Sequence, residues 1–404
     1  AQRAGQDFAL REATDLSLEG RYFHQEALQP VQTDASVSLA LQREWYAEWN
    51  RGDHSITATP FLRKDWADDE RSHADLRELH WQGIFGPLEV RAGVSRVFWG
   101  KTELLHLVDI INQDDAVENL DGEDKLGQPM LRLNWVTGLG SLQTYVLPYF
   151  RERTYPGVEG RLRAPLVVNT DAPIYEDADE ENHIDYALRF QGYLGAFDYG
   201  LAWFIGTHRD PQLVAAEFVA TPEGPQPTEL RPFYGQLDQL SLDAQYTRGG
   251  WLLKLEAVHR DQSVLQPAAP GNPPRIVSER YAAATGGFEY TAYGVFDTTA
   301  DLGLLLEYQW DERGRDGPSA FQNDLFLGTR LSANDVAGST LLAGIVGDLD
   351  HGSAFVNLEA SRRLGGSMLL SIEYRGFTNI ATEDVNFFPI RRDDYLQLEL
   401  SRYF

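Results

Sequence analysis

Cysteine is absent from all 404 residues, which excludes a disulfide framework and a thiolate metal site. No stretch approaches the ~20 consecutive apolar residues that a membrane-spanning helix requires. Basic residues are scarce, because 35 Lys and Arg stand against 61 Asp and Glu and give a formal net charge of -26. Nucleic acid is therefore not an expected partner, since phosphate neutralisation needs a basic surface. A charged-then-apolar leader is missing as well, and a start at Ala1-Gln2 is compatible with a signal peptide that has already been removed.

Signatures of catalysis are missing too. The sequence has no GxSxG nucleophile elbow, no P-loop and no Rossmann glycine fingerprint. Its nine His are scattered, and those near predicted loops are more simply interpreted as solvated side chains than as catalytic bases: His106, His183, His208 and His351. We therefore predict that the protein is not an enzyme.

The sequence does contain a repeated two-residue alternation, most clearly in ADLGLLLEYQW at residues 300–310. One face of that strand carries Leu302, Leu304, Leu306, Tyr308 and Trp310, and the other carries Gly303, Leu305, Glu307, Gln309 and Asp311. Many such strands, with no helix to cover their apolar face, indicate a lipid bilayer as the apolar partner. Only a closed barrel can place a sheet there. The 9 Trp, 18 Tyr and 20 Phe are enough to form aromatic girdles at two interfaces.

We predict an all-β chain of about 18 strands that forms one barrel domain over residues 1–404. The predicted strands are 14–23, 36–49, 55–66, 75–85, 88–99, 130–137, 141–151, 183–194, 197–208, 236–247, 251–262, 279–291, 300–310, 321–333, 339–349, 354–363, 367–378 and 394–404. Within 55–66, Pro60 requires either a bulge or a place where no ladder hydrogen bond is lost. The long connections are 100–129, 152–182, 209–235, 263–278 and 379–393, and they alternate with tight turns. This alternation is typical of an antiparallel up-and-down barrel that crosses the bacterial outer membrane many times, with short periplasmic turns, long outer loops and periplasmic termini.

A soluble propeller or a multi-domain sandwich is the alternative fold. The sequence has no internal repeat of blade length, which a propeller would show. In either soluble fold, the placement of all tight turns at one end would be a coincidence. The barrel is therefore the favoured prediction.

Two stretches carry a narrower resemblance. RVFWGKTELLHLVDIINQ (residues 96–113) and LPYFRERTYPGVEGRLR (residues 147–163) resemble segments of uncharacterised outer-membrane proteins of Gram-negative bacteria, some of which are called porin-like. The last strand ends on Phe404 and resembles the terminal strand of bacterial outer-membrane barrels, although Arg402 stands where that family usually has an apolar residue. The resemblance covers a small part of the chain. It implies fold and location but no substrate or activity.

The predicted lumen face carries charges of both signs. Its candidates are the basic Arg21, Arg91, Arg132, Arg189, Lys254, Arg330 and Arg375 and the acidic Glu19, Glu89, Asp185, Glu256, Glu307, Glu359, Glu373 and Glu399. Charges in spanning segments are tolerated where they face water or one another. A wall of mutually paired or solvated charges and a selectivity constriction built from opposed charges both fit this pattern.

The connection 100–129 is the expected position of a constriction. It begins with apolar residues that an outer loop in water would not need: Leu104, Leu105, Leu107, Val108, Ile110 and Ile111. An acidic run follows: Asp114, Asp115, Glu118, Asp121, Glu123 and Asp124. Our hypothesis is that this loop folds into the lumen and that its acidic run faces Arg91, Arg132 and Arg189, with Arg21 also at the constriction. A lid packed on the outer rim is the equally weighted alternative.

Calcium is the one ion that the acidic runs suggest. Asp121, Glu123 and Asp124 surround Gly122 and offer hard oxygen ligands, but they do not match the spacing of an EF-hand. A second acidic run, DADEE, spans residues 177–181. Solvated acidic loops are the favoured interpretation, and no cofactor is expected.

The predicted function is passage of small solutes across the outer membrane through a porin-like channel, passive or substrate-selective. The alternative is a barrel that is plugged by its own loops and serves as an anchor or sleeve for a partner lipoprotein or export complex. Outer-membrane lipid and lipopolysaccharide are expected partners in either case. The mixed lumen charges do not define an ion preference.

Overall fold

The computed structural model describes residues 8–268 and 273–404, so the predicted cleavage point at Ala1-Gln2 lies outside the described residues. Eighteen strands pair antiparallel with their neighbours along the chain, and the last pairs with the first to close a barrel. These strands are β1 (Phe8–Phe23), β2 (Ala35–Trp49), β3 (His54–Asp65), β4 (Ala74–Phe85), β5 (Leu88–Ser95), β6 (Gln128–Thr137), β7 (Gly140–Leu147), β9 (Asp185–Leu194), β10 (Phe197–Thr207), β13 (Gln236–Arg248), β14 (Trp251–Gln266), β15 (Arg275–Ala292), β16 (Asp301–Asp311), β17 (Asn323–Ser332), β18 (Thr340–Asp348), β19 (Ala354–Leu364), β20 (Met368–Thr378) and β21 (Tyr395–Tyr403). The predicted all-β barrel of eighteen strands is confirmed.

The closing pair of strands keeps the inward and outward faces of the barrel continuous. In its register Leu18 lies opposite Leu400, and Glu19 lies opposite Glu399. Apolar side chains therefore meet apolar ones outside, and polar side chains meet polar ones inside. No sheet edge is left unpaired around the barrel.

The alternation predicted for residues 300–310 is confirmed on β16. The side chain of Leu304 is 51% exposed on the outer surface, whereas Leu305 is 3% and Glu307 1% exposed on the inner one. Exposed aromatic residues mark both ends of the outer surface: Tyr22, Trp66 and Trp310 at the end with the long loops, and Phe85, Trp135 and Trp251 at the end with the short turns. A closed barrel with an apolar exterior and two aromatic girdles is the architecture of a transmembrane β-barrel of the outer-membrane type.

Helical structure is limited to short 3-10 turns in the described part of the chain. They are Asn50–Gly52, Glu180–Asn182, Val295–Asp297, Gly314–Asp316 and Phe388–Ile390. None of the helices described is long and apolar enough to cross a membrane.

Two predicted strands end earlier than the alternation indicates. The strand predicted for 88–99 ends at Ser95, and the strand predicted for 141–151 ends at Leu147. The residues beyond them leave the wall because their aromatic side chains are buried inside, as Trp99 and Phe150 show. Of the two arrangements expected at Pro60, the structure has the bulge, since the register of β3 against β4 shifts between Thr59 and Pro60.

The connection 209–235, predicted as a loop, contains a hairpin. Its strands β11 (Gln212–Thr221) and β12 (Gly224–Tyr234) pair antiparallel, and β8 (Ile174–Tyr175) adds to β12 in parallel. At Pro225 and Pro227, no strand pairs with the edge of β12 that faces away from β11. The N–H groups that these prolines lack therefore cost no hydrogen bond at that edge.

Candidate pore constriction

The connection between β5 and β6, residues 96–127, is called the inner segment below. Its two ends are fastened together by Asn112, which is 2% exposed. The Asn112 Oδ1 accepts the Val97 N–H at 2.8 Å, and its Nδ2 donates to the carbonyl oxygens of Ser95 at 2.9 Å and Leu126 at 2.8 Å. One amide therefore ties the point where the chain leaves the wall to the point where it returns.

The apolar part of the inner segment packs against the inward face of the wall. The cluster contains segment residues and inward residues of β6, β7, β9, β10 and β13 to β15: Trp99, Leu107, Val108, Ile110 and Ile111 with Met130, Tyr145, Leu147, Ala187, Ala202, Phe204, Leu237, Val258, Tyr281 and Ala283. Val108 and Ile111 are completely buried. This packing removes the apolar run from water, which its composition requires.

Two glutamates on the opposite side of the barrel hold the segment by its backbone. Glu256 on β14 accepts the N–H groups of Lys101 at 2.6 Å and Thr102 at 3.1 Å. Glu307 on β16 accepts the N–H groups of Glu103 at 2.9 Å and Leu104 at 2.9 Å. The segment leaves the wall at β5 and is bound at β14 and β16, so it crosses the lumen.

The acidic part of the segment meets arginines of the remaining wall. Asp115 contacts Arg77 Nη2 at 2.7 Å, Glu118 contacts Arg63 Nη2 at 2.7 Å, and Asp121 contacts Arg375 Nη2 at 3.0 Å. Burial would raise the pKa of Asp115, but the hydrogen bond from His73 and the charge of Arg77 lower it to about 2. Opposed charges therefore face one another between the segment and strands β3, β4 and β20.

Glu19 and Arg71 extend this charged network. The Arg71 guanidinium lies 2.9 Å from both the Glu19 and the Asp65 carboxylates, and its Nε donates to the Val117 carbonyl oxygen at 2.9 Å. The lumen is thus divided into an apolar half, filled by side chains, and a charged half along β1 to β4, β20 and β21.

The arginines predicted to face the acidic run are distributed differently. Arg21 does reach the segment, because its Nη2 donates to the Glu118 carbonyl oxygen at 2.7 Å. Arg189 binds Asp243 at 2.7 Å and lies 4.9 Å from the centre of the Trp99 ring. Arg91 donates to Gln82 and Ser95, and Arg132 lies opposite Arg91 in the register of β5 and β6.

The wall arginines that form ion pairs with the acidic side chains, Arg63, Arg77 and Arg375, were not among the predicted partners. Arg63 lies beyond the bulge at Pro60, where the alternation loses its phase. Arg71 precedes β4 and Arg77 is within it, close to its outer end. Their position near the outer end of the wall was a usable signal, because the inner segment also leaves the wall there.

The calcium candidates are not gathered around one point. Asp121 Oδ1 accepts the Glu123 N–H at 3.1 Å, while its other oxygen binds Arg375. Glu123 is exposed and lies 4.0 Å from His106, and the carbonyl oxygen of Asp124 accepts the Asp115 N–H at 2.8 Å. The DADEE run at 177–181 leads into the 3-10 turn Glu180–Asn182.

A different trio, His73, Asp115 and Glu118, has ligand atoms within 4.8 Å of one another. Burial would lower the pKa of His73, but its hydrogen bond to Asp115 and the nearby negative charges raise it. Both carboxylates are already bound to Arg77 and Arg63. A cation at this trio would therefore have to compete with two guanidinium groups.

Open space remains in the charged half of the lumen. A cavity of about 350 Å³ lies between the inner segment and the wall and is lined by Asp15, Ser17, Glu19, Arg21, Ala40, Gln42, Phe61, Arg63, Glu118, Asn119, Asp124, Ser371, Gln397 and Glu399. On the side of the long loops, Arg21 and Asn119 also border a much smaller void of about 40 Å³. The charged half therefore contains open space beside the inner segment.

Comparison with known proteins identifies no family for this chain. No family model matches the chain, and no curated protein matches it. Among solved structures it is similar to OmpF of Salmonella typhi in a complex with daunomycin, at 10% identity and a TM-score of 0.48 over 98% of this chain and 97% of that one. It is also similar to OmpT of Vibrio cholerae without loop L8 (9% identity, TM-score 0.44) and to a Rhodopseudomonas blastica porin variant (10% identity, TM-score 0.44), each over 98% of this chain and all of theirs.

Proposed function

We propose that the protein is a passive channel for small hydrophilic solutes and that it prefers cations. The observation that carries the proposal is the 350 Å³ cavity in the charged half of a lumen that the inner segment crosses. Eighteen strands enclose a lumen wide enough for water unless loops fill it, so the remaining cavity determines what passes.

The cavity lining supports the cation preference. Its ionisable side chains are five carboxylates (Asp15, Glu19, Glu118, Asp124, Glu399) and two guanidiniums (Arg21, Arg63). Both guanidiniums lie within salt-bridge distance of carboxylates in the same lining, Arg21 at 3.1 Å from Glu19 and Arg63 at 2.7 Å from Glu118. Asp15, Asp124 and Glu399 form no salt bridge in the described part of the chain. Uncompensated negative charge attracts cations into a narrow passage.

Single-channel recording across a KCl gradient tests the proposal. We expect discrete conductance steps with a reversal potential displaced towards that of potassium. Glu399→Gln, which neutralises a carboxylate of the lining, should reduce the displacement. Glu223→Gln, at the tip of the outer hairpin, is the matched control and should not. A reversal potential on the chloride side would contradict the cation preference, and absence of steps would contradict the channel.

The anchor or sleeve remains the second candidate, because the inner segment crosses the lumen and fills its apolar half. A plugged barrel would give no conductance steps in the same recordings. Co-purification of a stoichiometric lipoprotein or export protein would then support the anchor function.

A further inference from the structure

Residues 151–163, called the outer lid below, cross the charged half of the lumen on the side of the long loops. The lid begins near β7, where Arg151 Nη1 donates to Asp75 Oδ1 at 2.7 Å. It then passes over the inner segment, where Thr154 Oγ1 donates to Asp115 Oδ1 at 2.8 Å. The Gly157 N–H donates to the Asp68 carboxylate at 3.1 Å, so the lid next contacts the loop between β3 and β4.

The far end of the lid is held by Arg161, whose side chain is only 3% exposed. Its Nε donates to Asp393 Oδ1 at 2.7 Å, and its Nη2 donates to the Arg392 carbonyl oxygen at 2.7 Å. Weaker bonds run from its Nη1 to Asp34 at 3.3 Å and from its Nη2 to the Gln25 carbonyl oxygen at 3.3 Å. One guanidinium therefore joins three connections, those after β1, after β7 and after β20.

Asp393 completes this attachment, and apolar contacts reinforce it. The second oxygen of Asp393, Oδ2, accepts the Leu162 N–H at 2.8 Å. Leu162 is buried with inward aromatic and aliphatic residues of the barrel mouth: Phe23, Phe377, Ile390 and Tyr395. The end of the lid is thus buried within the mouth of the barrel and does not rest on its outer rim.

The lid leaves little space beneath it. The void of about 40 Å³ under the lid is bordered by Arg21, Arg71 and Asn119 below and by Pro156, Gly160 and Arg161 above. Such a volume holds about one to three water molecules, whereas the cavity on the other side of Arg21 and Asn119 has about 350 Å³. The space under the lid is therefore much smaller than the space on the other side of Arg21 and Asn119.

We propose that residues 151–163 are a gate on the outer side of the constriction and that the Arg161–Asp393 pair is the latch that keeps it closed. The proposal goes beyond channel function, because it assigns opening to a segment that is separate from the constriction. Release of the latch frees the lid end from the connections after β1 and β20. The charged half is then continuous with the outer solution.

Accessibility of an engineered thiol tests the gate without requiring conduction. The chain has no cysteine, so Ala116→Cys places a single thiol in the void under the lid. We expect a charged maleimide to label it slowly in the purified protein and faster by about tenfold or more after Arg161→Gln, since bonds to a charged group are then lost. Asp393→Asn should act in the same direction, and Arg161→Lys should have a smaller effect.

The matched control is Arg231→Gln, because Arg231 forms ion pairs on the outer hairpin and, among the described residues, has no hydrogen bond or ion pair with the lid. Circular dichroism and the thermal midpoint of each variant establish that the barrel is folded. Equal labelling rates in folded Arg161→Gln, Asp393→Asn and control proteins would overturn the gate. Faster labelling together with silent bilayers would support the gate and contradict the channel, so the two proposals fail separately.

Discussion

At the scale of single residues, the geometry of the inner segment depends on side chains that bond to its backbone. Asn112 is the clearest case, because its amide accepts the Val97 N–H and donates to the carbonyl oxygens of Ser95 and Leu126. An aspartate of the same shape cannot donate to the carbonyl oxygens of Ser95 and Leu126. It would place negative charge beside them instead.

We therefore predict that Asn112→Asp lowers the free energy of unfolding by about 2 to 4 kcal/mol, the cost of leaving buried polar groups unpaired. Denaturant titration in lipid vesicles measures the change. Asn182→Asp, at an exposed position, is the matched control and should change stability little. Equal stability of the two variants would show that Asn112 does not hold the two ends of the inner segment together.

Asp124 and Asp121 make the segment sensitive to pH. Desolvation by the surrounding barrel, followed by the charges of Glu118 and Asp121, raises the pKa of Asp124 to about 7. The same desolvation raises the pKa of Asp121 to about 6 against the lowering effect of Arg375. An unfolded aspartate titrates near ~3.9, so the folded protein binds these protons more tightly. The contribution of these two side chains to the stability of the folded protein is complete below about pH 4 and is lost as the pH rises through about 6 and 7.

The same titration predicts a change in ion preference. As the pH falls from about 8 to about 5, Asp124 becomes neutral and the cation preference should decrease. Asp124→Asn should show a lower preference at the higher pH and a weaker pH dependence. Reversal potentials at both pH values measure this, with Asp171→Asn in an outer loop as the control. A preference that increases with acidification would contradict the assignment.

At the scale of elements, the strands were predictable and the ends of two of them were not. Alternation assigns each residue of a strand to a face, and Leu304 and Glu307 lie where it predicts. It did not detect that the chain leaves the wall at Ser95, because the residues that follow, Val97, Phe98 and Trp99, are also typical of a strand. Val97 and Trp99 instead pack inside the barrel. The hairpin of β11 and β12 was missed because its prolines are typical of loops.

The inner segment is itself an element that the wall holds in place. Glu256 and Glu307 are bonded to five of its backbone N–H groups from the side opposite β5. Charged acceptors form stronger hydrogen bonds than neutral ones, so these two residues should limit the movement of the segment.

We predict that Glu256→Ala combined with Glu307→Ala increases channel conductance and current noise, because the segment is released from β14 and β16. Single-channel recording measures both quantities. Glu44→Ala is the matched control, since Glu44 forms no salt bridge or side-chain hydrogen bond in the described residues. Identical traces from the double variant and the control would mean that the two glutamates do not restrain the segment.

At the scale of the whole molecule, the closure of the barrel and the narrowing of its lumen have separate origins in the sequence. Closure follows from local pattern, because lipid requires every strand to be apolar on one face and paired on both edges. The pairing of charges across the lumen does not follow from local pattern, because it depends on the height of each side chain along the barrel axis and on its position around the barrel. The predicted partners of the acidic run were therefore wrong in position: Arg91, Arg132 and Arg189 were predicted. The observed partners on the wall are Arg63, Arg77 and Arg375.

The central claim is that the inner segment limits passage through an otherwise wide barrel. Single-channel conductance after deletion of residues 104–124 tests it most directly, because the deletion removes the apolar packing and the acidic run while leaving the eighteen strands. We predict a conductance several-fold larger than that of the full chain, with a weaker ion preference. A conductance and a reversal potential unchanged from the full chain would contradict the claim.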